Sequence, residues 1–135
     1  MFEQHGNFHL ETQGHTIIFT ACGAWNMETS IACISGIQRI TDGFNGAPFN
    51  VIMDSLAFEG LTSDCIDVWV NEIESWLSSN LIAVCRIDDP DSPGYRIYLT
   101  AFDQIFKNRI PFSFANNTQE ALAWIEKVSG NQATG

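Results

Sequence analysis

Two short apolar runs, Phe49–Met53 (FNVIM) and Leu81–Ile87 (LIAVCRI), bracket a helical stripe. That arrangement leaves the chain few architectures. Each run reads as a strand buried on both faces. Between them Ile66, Trp69, Val70, Ile73, Trp76 and Leu77 recur at helical spacing, which predicts a helix over Ser63–Ser79. Its other side carries Asp67, Glu72, Glu74 and Ser75. A strand, a helix and a second strand in this order imply parallel pairing through a right-handed crossover.

The flanking segments extend the same pattern. Phe8–Thr12 and Thr16–Cys22 read as a hairpin with its turn at Gln13-Gly14, and Gly23 ends the second strand. Asn26 is placed to cap a first helix, with Glu28 in its first turn and Cys33, Ile37, Ile40 and Phe44 on its apolar face. Gly43, Gly46 and Pro48 end that helix. Asp88–Gly94 reads as a loop, Tyr95–Lys107 as a helix with Ile97, Tyr98, Ala101 and Ile105 inward, and Pro111–Ala115 as a strand. A last helix spans Asn117–Val128, with Asn117 and Glu120 at capping-box spacing. The expected class is α/β, a mixed and mostly parallel sheet of four or five strands with four helices, in the order β-β-α-β-α-β-α-β-α. Residues 1–130 are expected to form one domain and residues 131–135 a flexible tail.

Charge and cysteine usage narrow the function classes. The net charge is −10, from 16 acids against 6 bases. Such a field repels nucleic acid and anionic membranes and suits a protein partner with a basic face. The acids concentrate between Asp54 and Asp91, where nine of them face one base, Arg86. No apolar run approaches the roughly 20 residues that cross a bilayer, and the start MFEQHGNFHLE lacks the pattern of a signal peptide. A cytoplasmic location, with no membrane insertion, is the expectation. The four cysteines, at 22, 33, 65 and 85, form no C-x-x-C pair and read as reduced thiols.

Three stretches resemble the STAS domain superfamily, and more closely its SpoIIAA-like branch, sometimes described as STAS/SEC14-like. Gly23-Ala24-Trp25-Asn26-Met27-Glu28-Thr29 resembles the pattern between the second strand and the first helix. Asp54-Ser55-Leu56-Ala57-Phe58-Glu59-Gly60-Leu61-Thr62 resembles D-x-x-x-F-E-G-x-T. Phe114–Ile125, FANNTQEALAWI, resembles the closing strand and helix. The founding members are bacterial anti-sigma-factor antagonists, which carry a D-S-S motif whose second serine is phosphorylated by a partner kinase. Counting from Asp54, that motif falls on Thr62, Ser63 and Asp64. The resemblance then puts a fixed acid, Asp64, where the phosphoacceptor stands; a one-residue shift would instead make Ser63 the acceptor. The SEC14-like label implies a small apolar ligand or lipid between helix and sheet.

In a largely parallel sheet, functional groups gather beyond the C-terminal ends of the strands. Asp54, at the end of the third strand, and the Thr62-Ser63-Asp64 turn belong to that end. A negative group at a helix start meets free backbone N–H groups and the positive end of the dipole. Capping by Thr62 and an ordinary first-turn acid explain the same residues. Trp25 sits in a loop at this end and could edge a pocket, whereas Trp69, Trp76 and Trp124 lie on apolar stripes and read as core. His5, His9 and His15 lack partners at metal-ligand spacing, and Asp88, Asp89 and Asp91 lack the rest of a calcium loop. No nucleophile elbow or phosphate-binding glycine loop appears. A phospho-receiver domain would need acids after its first strand and a lysine after its last, where Gly23-Ala24 and Ala115-Asn116 stand.

The leading expectation is a non-enzymatic regulatory or protein-interaction module without the usual serine phosphoswitch and without cofactor or metal. Its sites would be Asp54, Thr62, Ser63, Asp64 and Trp25. The alternative is a carrier of a small apolar ligand or lipid. A third reading is an enzyme using Asp54, Ser63 and Glu59. Exposed Phe residues on the first hairpin edge could serve a homodimer.

Overall fold

The two apolar runs pair in parallel near the middle of a five-stranded sheet, Val51 opposite Val84 and Ile52 opposite Cys85. The computed structural model describes residues 6–91 and 93–133. Its elements are β1 (Asn7–Gln13), β2 (Thr16–Trp25), α1 (Met27–Gly43), β3 (Phe49–Leu61), a 3-10 turn (Ser63–Cys65), α2 (Ile66–Ser78), β4 (Leu81–Ile87), α3 (Pro93–Lys107), β5 (Phe112–Ala115) and α4 (Thr118–Ala133). Residues 134 and 135, the end of the expected tail, lie outside the described residues. The strands lie in sequence order, β1 to β5; β1 is antiparallel to β2 and the other pairs are parallel. This is the mixed, mostly parallel sheet with four helices that the sequence implied.

The two-residue period of the strands sorts their side chains into two cores. Ile17, Phe19, Val51, Met53 and Val84 point to the face covered by α1, α2 and α3, where they meet Ile37, Trp69, Trp76 and Phe106. Ile18, Ile52, Ala83 and Cys85 point to the other face, closed by Ala121 and Ile125 of α4. Trp124 packs there, apart from the other tryptophans. Asn26 caps α1 as expected, its Oδ1 accepting from the Thr29 N–H at 3.1 Å. At α4, Asn117 Oδ1 accepts from Glu120 N–H and Glu120 Oε2 accepts from Asn116 N–H, both at 2.9 Å.

Several local expectations are corrected. Gly23 does not end β2. It takes φ +77, a conformation glycine adopts without steric cost, within a bulged stretch of the β2–β3 pairing, and the strand runs on to Trp25. Correspondingly β3 continues to Leu61, so Phe58-Glu59-Gly60 is strand and not a link. Pairing of β3 with β4 stops at Asp54 opposite Ile87. Beyond that point β3 pairs with β2 alone, and from Gly23 to Trp25, past the last β1 partner at Cys22, the two form a two-stranded ribbon that backbone pairing holds without a continuous apolar sequence. Glu72, expected on the solvent side of α2, is 6% exposed and accepts from Trp76 Nε1 at 2.8 Å and Gln38 Nε2 at 3.1 Å. Ile66, expected on the buried stripe, is 44% exposed.

Candidate functional site at the C-terminal end of the sheet

The β2–β3 ribbon brings the two halves of the site together. Trp25, the last residue of β2, is buried, and its Nε1 donates to the Cys22 carbonyl at 3.0 Å. Its carbonyl accepts from the Thr62 N–H at 3.0 Å, so the end of β2 anchors the turn that follows β3. The indole packs against Phe19, Phe58 and Trp69, with ring centroids 5.7, 6.0 and 6.2 Å away. Trp25 is therefore in a strand and not in a loop.

The Thr62-Ser63-Asp64 turn is exposed. Thr62 makes no side-chain capping bond. Its hydroxyl instead lies 3.2 Å from Cys65 Sγ, and its carbonyl accepts from the Cys65 N–H at 3.0 Å. A 3-10 turn from Ser63 to Cys65 thus precedes α2, which starts at Ile66 and not at Ser63. The capping role that would have explained Thr62 is absent.

Behind the ribbon lies a cavity of about 50 Å³. Phe19 and Met53 of the sheet, Trp69 and Trp76 of α2, Phe102 of α3 and Trp25 with Phe58 of the ribbon wall it. Three polar residues also line it: Asp54, Ser55 and Arg86. Asp54 is half-buried and its Oδ1 accepts from the Leu56 N–H at 3.2 Å. Arg86 is 3% exposed. Its Nε and Nη2 donate to Asp103 Oδ1 at 2.8 and 2.7 Å, and its Nη1 donates to Ser55 Oγ at 2.6 Å. Asp103, on α3, is buried to 1% exposure, and burial pushes its carboxyl above the usual range although Arg86 pulls the other way. Burial likewise raises Asp88, just past β4, against the opposing pull of the Asp89 N–H and Arg86.

The expected site residues therefore divide. Asp54 and Trp25 line one cavity, while Thr62, Ser63 and Asp64 stand outside it on the surface. Of Asp54, Ser63 and Glu59, only Asp54 lines this cavity. Among the described residues, no three His, Cys, Asp or Glu side chains converge as a metal site. His9 stands opposite Thr20, and His15 lies against Phe44 with its Nδ1 3.3 Å from the Pro48 carbonyl; His5 lies outside the described residues. Asp88 and Asp89 accept from backbone N–H groups of Asp89 and Asp91 in their own loop. All four cysteines are unpaired, and burial pushes the Cys85 thiol up to about 11. No helix among the described residues is long and apolar enough to cross a membrane.

Compared by sequence, the chain matches no family model and no curated protein. Its structure does match solved ones. An uncharacterized Shewanella loihica protein with a SpoIIAA-like fold superposes with a TM-score of 0.61 at 14% identity, over 92% of this chain and 96% of that one. The chain has a SpoIIAA-like fold. An anti-sigma factor antagonist from Mycobacterium paratuberculosis gives 0.60 at 16% identity, over 90% and 94%. A candidate anti-sigma factor antagonist from Thermotoga maritima gives 0.58 at 15%, over 90% and 94%. This SpoIIAA-like chain thus shares its fold with those proteins at identities that speak for fold alone.

Sequence reasoning missed Ser55, Arg86 and Asp103. A lone arginine inside the apolar run LIAVCRI was a readable signal, since a buried cation requires a partner. The partner lies 17 residues away on another element, and no local spacing announces it.

Proposed function

We propose that the protein is a non-catalytic regulatory module that binds a protein partner through the C-terminal end of its sheet. One observation carries this reading. Three large apolar side chains are conspicuously exposed among the described residues: Ile31 at 52%, Leu56 at 59% and Ile66 at 44%. They belong to the second turn of α1, the β3 ribbon and the first residue of α2, all of which follow or form the C-terminal ends of strands β2 and β3. Exposed acids accompany them, Glu28, Glu59, Asp64 and Asp67. Arg86, the one base between residues 54 and 91, is buried in its ion pair, so that segment shows solvent no basic group. Apolar anchors among acids suit a partner whose surface is apolar and basic.

On this reading Asp64 supplies a permanent negative charge to the turn, and the partner does not await phosphorylation of Ser63. The solved anti-sigma factor antagonists with this fold support a regulatory role. In this cavity the carrier reading holds only for small ligands, because about 50 Å³ accommodates a few atoms and not an acyl chain.

The test is quantitative binding of a partner captured by the immobilised wild-type chain. Asp64→Lys and Leu56→Ser should each weaken it about tenfold or more, equivalent to about 1.4 kcal/mol, and added salt should slow association. Undiminished binding by both variants would remove this surface from consideration. Binding that appears only after phosphorylation of Ser63 would restore the phosphoswitch.

A further inference from the structure

We infer that the cavity behind the ribbon is a binding site for a small organic cation, an alkylammonium group with a compact apolar stem. The inference stands on the cavity and does not depend on the docking surface.

Three features of the cavity point to this chemistry. Its walls are largely aromatic: Trp25, Phe58, Phe19 and Trp69 surround it, and the faces of such rings attract cations. Its polar groups are ordered by depth. Arg86 and Ser55 are buried, and the half-buried Asp54 leaves a carboxylate near the rim. The charge balance is also negative. Asp103 holds the Arg86 guanidinium at two nitrogens, which leaves Asp54 as the lining's one charged group without an ion-pair partner in that cluster. An incoming anion would meet Asp54 and compete with Asp103. An ammonium group would meet Asp54 and π-faces, with its stem in an apolar enclosure.

Size limits the ligand further. A volume of about 50 Å³ is roughly a third of the ~150 Å³ of an engineered cavity that takes up benzene. It admits a stem of about three to five atoms, with the charged head at the rim. A free short-chain amine offers such a group, whereas a lysine side chain of another protein enters head first and does not leave its ammonium at the rim.

Three probes share one body and differ in head charge: tert-butylammonium, tert-butanol and pivalate. Binding is read from the indole N–H signals of Trp25, Trp69 and Trp76 in NMR spectra. Trp124, on the opposite face, serves as an internal control. Tert-butylammonium should shift the Trp25 and Trp69 signals saturably and leave Trp124 unmoved, with pivalate at least tenfold weaker. Asp54→Asn keeps the acceptor for the Leu56 N–H and should cut that preference below threefold. Nα-acetyl-lysinamide, whose stem is tethered outside the mouth, should bind more weakly than tert-butylammonium; tighter binding would overturn the placement of the charged head at the rim. Pivalate binding as well as tert-butylammonium, or no cationic probe moving the cavity tryptophans, would overturn the inference.

Discussion

Arg86 ties three elements together at this end of the molecule. From β4 it bonds to Ser55 of β3 and to Asp103 of α3. Both members of the ion pair are nearly fully buried, so neither can fall back on water if its partner is removed. Asp103→Ala should therefore cost about 3–5 kcal/mol in urea unfolding. Replacing the pair together, Arg86→Met with Asp103→Leu, should recover most of that loss, because packing replaces a desolvated pair. Asp88 gives a pH prediction. Burial raises its carboxyl above the ordinary 3.8, so the folded state holds its proton more tightly than the unfolded chain does. Stability from this group falls as pH rises between 3.8 and the folded value, and the cost is complete above that value. Asp88→Asn retains an acceptor for the Asp89 N–H and should raise the urea midpoint at pH 7, with the advantage vanishing below 3.8. A lower midpoint at pH 7 would show that the carboxylate charge stabilises the loop.

At the scale of elements, the β2–β3 ribbon separates what could be read from what could not. β4 coincides with its apolar run, Leu81–Ile87, because burial on both faces demands apolar residues at every position but Arg86, which brings its own ion-pair partner. β3 outruns its own apolar run by eight residues, from Asp54 to Leu61. There the backbone pairs with β2 alone, and one-sided pairing leaves residues such as Leu56 and Glu59 in solvent. Glycine at position 23 was legible as a break; that it carries a bulge became visible only with its partner strand. Alanine at that φ of +77 would meet the left-handed penalty, so Gly23→Ala should cost about 1–2 kcal/mol and loosen the Trp25 anchor. Thermal unfolding, with the Trp25 indole signal as a local probe, checks both effects. The start of α2 shows the same limit. Thr62-Ser63-Asp64 has the composition of a helix cap, yet the backbone spends those residues on a 3-10 turn tied to Trp25.

Across the whole molecule, alternation of apolar runs and helical stripes determined the α/β class, the element order and the parallel sheet. These follow from periods of two and near 3.6 residues, which are properties of the chain itself. The acidic bias and its concentration between Asp54 and Asp91 were equally legible, since charge needs no coordinates. Which acids reach solvent was not: Glu72 lies on a nominally polar side of α2, but α1 packs over it and Gln38 bonds to it. The cavity, the Arg86–Asp103 pair beside it and the separation of Asp54 from the Ser63–Asp64 surface are likewise products of tertiary structure. The sequence alone determined which segments would be strands and helices, because short-range periodicity controls that choice. Only the folded arrangement decided what they enclose, because burial and pairing join residues from β2, β3, β4 and α3 that no spacing along the chain relates.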